Sequence, residues 1–312
     1  MTRLHEDEIE VDDDLVRQLL TTLSPAYDDL PLRRFDATGS DNALFRLGDD
    51  LLVRVPRQPG GTRTIEKEQR WLPYVAPHLP TAVPEIVAVG EPGFGYPEKW
   101  SLVRFLEGDR PRVPEVDEPP RDGLASDLAG VVRALGALAV PGDAAADPGL
   151  RWYRGRPLSS MDDSMQEYLR DCRELAQRVH LDLDLDAVEA SWARTMAMPE
   201  ASRAVEPRWY HGDINAENLL VRDGRLVALL DFGGLSVGDP TIDLPVAWQL
   251  LDPEARSTFR RLLAVDDATW RLARAWALVL GVMGLPYYWD TMPERCARGL
   301  FTARQALADV SG

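Results

Sequence analysis

A short polar loop between two apolar segments constrains this chain more than any other feature. The loop carries Asp213, and Asn218 follows it at the start of the apolar run Leu219–Val221. An Asp-Gly turn at 223–224 then leads into a second apolar run that ends at Asp231. Because an Asp-Gly pair between apolar runs is typical of a β-hairpin, Asn218 and Asp231 are predicted to lie at neighbouring strand ends.

These three side chains form a pattern that suits phosphoryl transfer. Asp213 can receive the proton of an attacking hydroxyl group, while Asn218 and Asp231 supply oxygen ligands for Mg²⁺. Magnesium keeps waters and substrate phosphates in its coordination shell, so two protein ligands are sufficient. A carboxylate that ends an apolar strand, as Asp231 does, has no evident structural reason to be there. The motif therefore predicts a catalytic base beside a magnesium-binding pair.

Length and net charge limit the classes of protein to which this chain can belong. At 312 residues with 45% hydrophobic content, the chain is expected to form two lobes or domains around a substantial core. A formal net charge of −16 argues against nucleic-acid binding, which requires clustered Lys and Arg. An acidic surface can attract a cationic small molecule, but it is also an ordinary route to solubility, and the second interpretation carries more weight.

The cysteines and the chain start predict an intracellular setting. Cys172 and Cys296 form no CxxC motif, so free thiols are expected rather than a disulfide or a zinc site. The acidic N-terminal segment lacks the apolar core of a secretory signal, and no apolar run is long enough to span a membrane. We expect a cytoplasmic protein without membrane contact, and the oligomeric state is left open.

The N-terminal third predicts an antiparallel sheet with helices. Apolar positions at helical spacing predict a helix over residues 11–23, and a charged amphipathic helix is predicted over 62–76. Short apolar runs separated by turn residues predict five strands, at 30–35, 43–47, 51–55, 85–89 and 100–106.

The loop 38–42 between the first two strands is a candidate phosphate-covering loop. Its small residues would let backbone N–H groups approach phosphate oxygens without obstruction by side chains. A simple hairpin turn is the alternative. The candidate positions for nucleotide binding in this loop are Gly39, Ser40, Asp41 and Asn42.

Arg54 lies in the middle of an apolar strand, where a charge needs a partner. In a kinase-like lobe this position holds the cation that joins the nucleotide phosphates to a helix carboxylate. Glu68 is the expected partner, because it precedes Trp71 and Leu72, which should face the interior of this lobe. The alternative is an arginine on an edge strand with its head in water.

The rest of the chain predicts a mainly helical part after a linker rich in Pro and charged residues. We place the boundary near residue 107, so that residues 1–106 form the N-terminal lobe and residues 107–312 the C-terminal lobe. In the segment Val237–Leu244, Asp239 and Pro240 suit a helix cap and a first helical position. Further helices are predicted over residues 124–138, 160–179, 185–196, 253–264, 268–280 and 293–310.

Two clusters are candidates for contact with a substrate. Asp162, Asp163 and Glu167 could give a carboxylate-rich face towards a cation, although a solvated helix face is the more common meaning of such a pattern. The second cluster could form a substrate wall, although aromatic residues at a helix junction more often belong to the core. It consists of Tyr287, Tyr288, Trp289 and Asp290.

Three ordered motifs resemble the aminoglycoside/macrolide phosphotransferase family, whose members have the protein-kinase fold and act on small alcohols. They are His211–Asn218, Asp231–Gly234 and Gly238–Leu244, and similar segments upstream extend the resemblance over roughly residues 30–250. The resemblance implies an α+β bilobal protein-kinase-like fold, with an N-terminal antiparallel sheet plus helix and a mainly helical C-terminal lobe.

Positions that match the family motifs suggest individual roles. Asp213 resembles the catalytic base, and Asn218 and Asp231 resemble the magnesium ligands. Asp243 resembles a structural aspartate that braces the catalytic loop, and His211 would orient that loop.

The resemblance also suggests how a nucleotide is held. Glu68 resembles the partner of the phosphate-binding cation. Arg54 stands where many members have Lys, so the charge is kept but not the compact ammonium group. ATP or GTP is expected between the lobes, with the base beside Arg104, Phe105 and Leu106 and hydrogen-bonded to the backbone just after Leu106.

The expected reaction is transfer of the γ-phosphoryl group to a hydroxyl group of a small molecule. An antibiotic of the aminoglycoside, macrolide or nucleoside type, in resistance or self-resistance, is the leading acceptor, with a cationic polyol as one form of it. A metabolic small-molecule kinase acting on choline, homoserine, a sugar or a fructosamine is the second hypothesis. A nucleotide-binding regulator without transfer is the third.

Overall fold

The computed structural model describes residues 8–35, 42–115, 118 and 121–309. It confirms the α+β class, with an antiparallel sheet in the N-terminal part and helices in most of the remainder. The larger sheet has the order β1-β2-β3-β5-β4, and two further strand pairs, β6 with β9 and β7 with β8, flank the polar loop. The strands are β1 (Leu32–Phe35), β2 (Asn42–Leu47), β3 (Leu51–Pro56), β4 (Ile86–Gly90), β5 (Trp100–Arg104), β6 (Arg208–Tyr210), β7 (Leu219–Arg222), β8 (Arg225–Leu229) and β9 (Ser236–Gly238).

The helices follow the predicted order closely. Two of them precede the linker region, and the others lie beyond residue 121. None of the described helices combines the length and the apolar character that a membrane crossing requires. They are α1 (Asp13–Leu20), α2 (Gly61–Val75), α3 (Asp122–Ala137), α4 (Gly142–Ala146), α5 (Asp162–Ala176), α6 (Leu185–Met196), α7 (Val246–Leu250), α8 (Pro253–Leu263), α9 (Asp267–Val282), α10 (Leu285–Tyr288) and α11 (Pro293–Ala308).

The five-stranded sheet buries one face against α1. Phe45, Val53 and Val55 are fully buried, and they pack in one cluster with Leu19 and Leu20 of α1. This arrangement follows from the alternation of apolar residues along β2 and β3, because successive side chains of a strand point to opposite faces. Hydrophobic burial on that face therefore fixes the register of the central strands.

Helix α2 belongs to a different core from the sheet that it follows. Trp71, Leu72 and Val75 are buried in the large cluster formed by the C-terminal helices and strands. The Trp71 ring lies 5.6 Å from that of Trp209, and its Nε1–H donates to Asp147 at 2.8 Å. The expectation that Trp71 and Leu72 face the interior of the N-terminal lobe is therefore wrong, because the C-terminal part offers the larger apolar surface.

A carboxylate from the sheet side caps the first turn of α2. Its N-cap residue, Gly60, has no side chain to satisfy the first N–H groups. Glu98 takes that role from 38 positions away and accepts hydrogen bonds of 2.8 Å from the backbone N–H groups of Gly60 and Thr62. Helix α2 thus joins the two parts, with its first turn tied to the sheet and its last turns in the C-terminal core.

The chain passes from sheet to hairpin over a few residues. It leaves the sheet at Arg104, and Asp109 already exchanges backbone hydrogen bonds of 2.9 and 2.7 Å with Val221 of β7. The boundary at residue 107 lies within this passage and stays a prediction.

The segment after Asp231 differs from the expected helix. Ser236–Gly238 forms β9, which pairs with β6, and Asp239 then caps a single 3₁₀ turn over Pro240–Asp243 rather than an α-helix. Three residues are too few for an alternating pattern, so the sequence could not reveal β9. This strand brings Asp243 back beside the polar loop.

Candidate active site

The polar loop after β6 is fixed by a buried carboxylate. Asp243 accepts hydrogen bonds of 2.7 Å from the backbone N–H groups of both His211 and Gly212. Gly212 has φ +85°, and a Cβ atom there would lie 2.9 Å from the carbonyl oxygen of Gly234. Only glycine fits this turn without strain. Asp243 therefore braces the loop as the family resemblance suggests, and the brace sets the direction of the next residue, Asp213.

The carboxylate of Asp213 is held at both oxygens. Arg154 Nη1 lies 2.8 Å from Oδ1, and Asn218 Nδ2 lies 2.9 Å from Oδ2. The side chain is nevertheless 39% exposed and lines a cavity of the C-terminal part. A carboxylate that is oriented on one side and accessible on the other can accept a proton from a hydroxyl group in the cavity.

Arg154 is the site residue that the sequence analysis missed. Its Nη1 also donates to the carbonyl oxygen of Gly212 at 2.9 Å, and its Nε donates to the Tyr153 hydroxyl at 3.1 Å. The guanidinium lies over the Trp152 ring at 4.4 Å. The preceding helix ends well before this segment, which has no apolar periodicity. The single local sign is a cation beside two aromatic residues, which is too common to single out a site.

His211 supports the loop from inside. Its ring lies 3.0 Å from the carbonyl oxygen of Leu230 through Nε2 and 3.2 Å from the N–H of Asp213 through Nδ1. We assign the proton to Nε2, because Nδ1 must accept from a backbone N–H. Burial lowers the pKa of His211 to about 4, so the ring is neutral at physiological pH and keeps this bonding pattern. Its position matches the orienting role suggested for it.

Asn218 and Asp231 lie at adjacent strand ends, as the Asp-Gly turn predicts. The N–H of Leu230 donates to the Asn218 carbonyl oxygen at 2.8 Å, and β7 and β8 run antiparallel between them. Asp231 adopts a left-handed conformation with φ +56°, which costs a non-glycine residue free energy and is common at functional sites. In this conformation the carboxylate accepts a hydrogen bond of 3.1 Å from the N–H of Gly233.

The oxygens of this pair fit a hard divalent cation. Burial raises the pKa of Asp231 to about 6, while nearby Arg54 acts in the opposite direction. A bound cation would therefore stabilise the ionised form of this carboxylate. No group of three or more His, Cys, Asp and Glu side chains that could hold a metal ion by themselves converges in the described part of the chain, this site included. A carboxylate with an amide oxygen suits Mg²⁺ when nucleotide phosphates complete the shell.

Arg54 pairs with Glu68, as expected from the apolar strand around it. Two hydrogen bonds of 2.9 and 3.3 Å join the guanidinium to the carboxylate, and both residues are buried. β3 lies between β2 and β5, so the alternative of an edge-strand arginine is wrong. Glu68 Oε1 also accepts from the N–H of Phe232 at 3.1 Å, and Lys67 contacts the carbonyl oxygen of Gly233. The pair therefore lies directly against the segment that begins with Asp231.

The other residues expected at a nucleotide fall on the rim of the sheet. The N–H of Phe105 donates to the backbone carbonyl oxygen of Asp50 at 2.8 Å. The Arg46 guanidinium lies 3.3 Å from the centre of the Phe105 ring. Arg104 is exposed, and no residue in the described part of the chain hydrogen-bonds the backbone of Leu106.

The phosphate-covering loop is described only at its end. Asn42 begins β2 opposite Pro56 of β3. Gly39, Ser40 and Asp41 lie outside the described residues.

The two candidate substrate clusters differ in position. Tyr287 and Tyr288 line the cavity of about 410 Å³ that also contains Asp213, whereas Trp289 and Asp290 are absent from its wall. Asp162 accepts a hydrogen bond from Trp192 Nε1 at 2.7 Å, which gives it a structural contact instead.

Asp163 and Glu167 are exposed on α5, and neither lines this cavity. The expected acidic face is therefore not brought to Asp213, because the buried side of α5 carries its apolar residues.

Comparison with known proteins gives two kinds of similarity. A family model described as a phosphotransferase enzyme family matches residues 33–276. An aminoglycoside 3'-phosphotransferase from Escherichia coli is 31% identical over 85 residues, a segment that covers 26% of this chain. The chain thus matches only 31% of the length of that curated relative.

Solved structures extend the similarity over the whole fold. The GDP complex of an aminoglycoside 2'-phosphotransferase has a TM-score of 0.70 at 18% identity, covering 96% of this chain and 99% of the other. The apoenzyme of a macrolide 2'-phosphotransferase from Brachybacterium faecium has a TM-score of 0.63 at 21% identity, covering 94% and 98%. At these identities the likeness establishes the fold.

Proposed function

This chain belongs to the phosphotransferase enzyme family, and from that premise we propose that it transfers the γ-phosphoryl group of ATP or GTP to a hydroxyl group of a small molecule. The observation that carries the proposal is the Asp213 carboxylate, held by Arg154 and Asn218 and open to a cavity that can take an alcohol. A regulator without transfer would have no use for an oriented and accessible base at this position.

Asp213 acts on the acceptor. Its free side orients the attacking hydroxyl group and takes the proton as the phosphoryl group is transferred. The transition state of this reaction is loose, so positioning and charge neutralisation matter more than the strength of the base. The bonds from Arg154 and Asn218 serve that purpose, because they hold the carboxylate in one orientation before the acceptor arrives.

Asn218, Asp231 and Arg54 act on the donor. Asn218 Nδ2 is engaged with Asp213, which leaves the amide oxygen, together with the Asp231 carboxylate, to hold Mg²⁺. When bound, magnesium neutralises the charge of the nucleotide phosphates. Arg54, held by Glu68, offers a fixed cation to the same phosphates.

The two-lobe division completes the proposal. The nucleotide lies between residues 1–106 and residues 107–312, with its base against the open backbone at Leu106 and its phosphates under the loop 38–42. The GDP and ADP complexes among the similar structures support a purine nucleotide as donor. Buried free cysteines are in keeping with a reducing compartment such as the cytoplasm.

The acceptor is proposed to be an antibiotic. Similar proteins carry aminoglycoside and macrolide phosphotransferase names, which supports antibiotic inactivation by O-phosphorylation. A panel of aminoglycosides, macrolides and nucleoside antibiotics, screened for a nucleotide-dependent mass gain of one phosphate, tests this assignment. Mass gain in none of them would remove the antibiotic role and leave a metabolic alcohol as acceptor.

The substitution Asp213→Asn tests the chemistry independently of the acceptor. Magnesium-dependent release of phosphate from ATP or GTP should fall by roughly 10²–10⁴-fold, because the base is lost while the shape of the side chain is kept. Nucleotide affinity, measured by calorimetry with a non-hydrolysable analogue, should stay within about twofold. Asp223→Asn in the exposed hairpin turn is the matched control, and similar turnover in both variants would exclude Asp213 as the base.

A further inference from the structure

The side chains that line the cavity at Asp213 carry a net positive charge, whereas the net charge of the whole chain is negative. Three guanidinium groups and two carboxylates line it, although the protein carries a net charge of −16. Both carboxylates are already paired. Asp213 bonds to Arg154 at 2.8 Å, and Glu217 forms an ion pair with Arg298. The third arginine, Arg295, leaves the wall with an excess of one positive charge.

Arg295 has no carboxylate within ion-pair distance in the described part of the chain. Its guanidinium lies 4.5 Å from the ring centre of Tyr288, a contact that orients the charge without neutralising it. It lies in the first turn of α11, where the helix dipole disfavours a cation. In this place the arginine gains nothing from the helix dipole, and it lines a space that a ligand can enter.

The remainder of the wall is apolar for the most part. It includes aliphatic side chains from the polar loop, from the 3₁₀ turn after Asp239, and from α7, α9 and α10. Such a surface favours a ligand whose body is hydrocarbon rather than a chain of polar rings. The principal apolar residues are Ile214, Ile242, Val246, Leu280, Met283 and Leu285.

We propose that the acceptor is an alcohol with a mainly apolar body and a single negative charge, and not a polycation. The proposal rests on the phosphotransferase function given above and names the substrate class of that site. Several ammonium groups entering this cavity would lose water without finding a free carboxylate, which is unfavourable. One carboxylate would meet Arg295 in a charge-assisted hydrogen bond. The net charge of the chain alone points to the opposite conclusion.

Three matched probes test the proposal on the full chain. Octyl glucuronide, octyl glucoside and octyl glucosaminide share a sugar and an apolar tail and differ in charge from −1 to 0 to +1. Binding is measured by calorimetry below the micelle-forming concentrations. The anionic probe should bind at least tenfold more tightly than the cationic one, with the neutral probe between them.

Charge reversal at the wall should reverse this order. Arg295→Glu is expected to bind the cationic probe at least as tightly as the anionic one, and Arg295→Gln should reduce the discrimination to within about threefold. Arg178→Glu, an equal change of charge on an exposed residue outside the cavity, should keep the wild-type order. Thermal unfolding of each variant shows whether it is folded.

The outcomes separate the two proposals. A cationic or neutral probe that binds the wild-type protein more tightly than the anionic probe overturns the inference, as does no measurable binding of any probe. An order that persists in Arg295→Glu also overturns it. In each of these cases the phosphotransferase proposal stands if Asp213→Asn abolishes nucleotide turnover, and it fails if that variant turns over normally.

Discussion

Arg154 Nη1 lies 2.8 Å from Asp213 Oδ1, although 59 positions of the chain separate the two residues. The same nitrogen donates to the Gly212 carbonyl oxygen, so one guanidinium holds both the backbone and the carboxylate of the loop. The side chain of Arg154 is only 11% exposed, and the pair is therefore poorly screened by solvent. Arg154 acts as a positioning residue for the proposed base.

The first prediction concerns this pair. Arg154→Met should lower magnesium-dependent nucleotide turnover by about 10²-fold, because Asp213 loses the contact that fixes its orientation. Arg154→Lys should retain more activity than Arg154→Met, since it keeps the charge but not the planar fork. Arg156→Met, an exposed change two residues later, is the control. Equal rates in all three variants would show that Asp213 needs no positioning by Arg154.

The second prediction concerns the buried ion pair of the N-terminal part. Glu68→Gln should lower the free energy of unfolding by about 3 kcal/mol, because it removes the carboxylate that hydrogen-bonds the buried Arg54 guanidinium. Glu66→Gln on the same helix should change stability by less than about 1 kcal/mol, since Glu66 pairs with Lys99 at the surface. Denaturant unfolding of both variants measures the difference. A similar loss of stability in both variants would mean that the buried Arg54–Glu68 pair contributes no more than the exposed Lys99–Glu66 pair.

The third prediction concerns pH. The pKa of His211 is lowered by burial to about 4, whereas an unfolded histidine titrates near about 6.5. The unfolded state therefore binds more protons between these values, so this contribution to stability is complete above about pH 6.5 and is lost as pH falls towards 4. The loss amounts to about 3 kcal/mol.

Denaturant unfolding at several pH values checks this dependence. His211→Gln should flatten the stability profile between about pH 4 and 6.5, while His78→Gln at an exposed site should leave it unchanged. Identical profiles for the wild type and His211→Gln would exclude His211 as the titrating group.

The fourth prediction concerns Trp71. Trp71→Ala removes a buried ring that packs against Trp209 and should cost about 3–5 kcal/mol, while Phe94→Ala at an exposed site should cost less than about 1 kcal/mol. Because α2 lies in the C-terminal core, the loss should appear in one cooperative transition of the whole chain. Calorimetry that resolves two transitions, with only the weaker one shifted, would contradict this view of α2.

The sequence predicted the parts of the site that lie close together along the chain. Asp213, Asn218 and Asp231 are linked by one loop and one hairpin, and local turn chemistry was enough to bring them together. Arg54 and Glu68 could be paired because a charge in an apolar strand requires a partner. The order of helices and strands followed in the same way from the periodicity of apolar residues.

Contacts made by distant segments could not be predicted in this way. Nothing near Arg154 indicates that it reaches Asp213, and neither interpretation of Asp162, as part of a solvated helix face or of a substrate contact, includes the hydrogen bond that it accepts from Trp192. The packing of Trp71 depends on which core offers more apolar surface, which is a property of the folded chain. Likewise, net charge gave no indication of the positive wall around Arg295, because most acidic residues lie elsewhere.

The division of α2 between two parts has a mechanical consequence. Its last turns are buried in the C-terminal core, whereas Arg54 lies in β3 of the sheet. The Arg54–Glu68 pair therefore joins two parts that have separate hydrophobic cores. Glu98 and Lys99 also hold the first turns of α2 to the sheet side, so we expect any tilt of the sheet over a nucleotide to act on α2 through these contacts and the Arg54–Glu68 pair together. In such a tilt we expect the sheet and α1 to move together, while Glu68 keeps its hydrogen bond to the N–H of Phe232 beside Asp231.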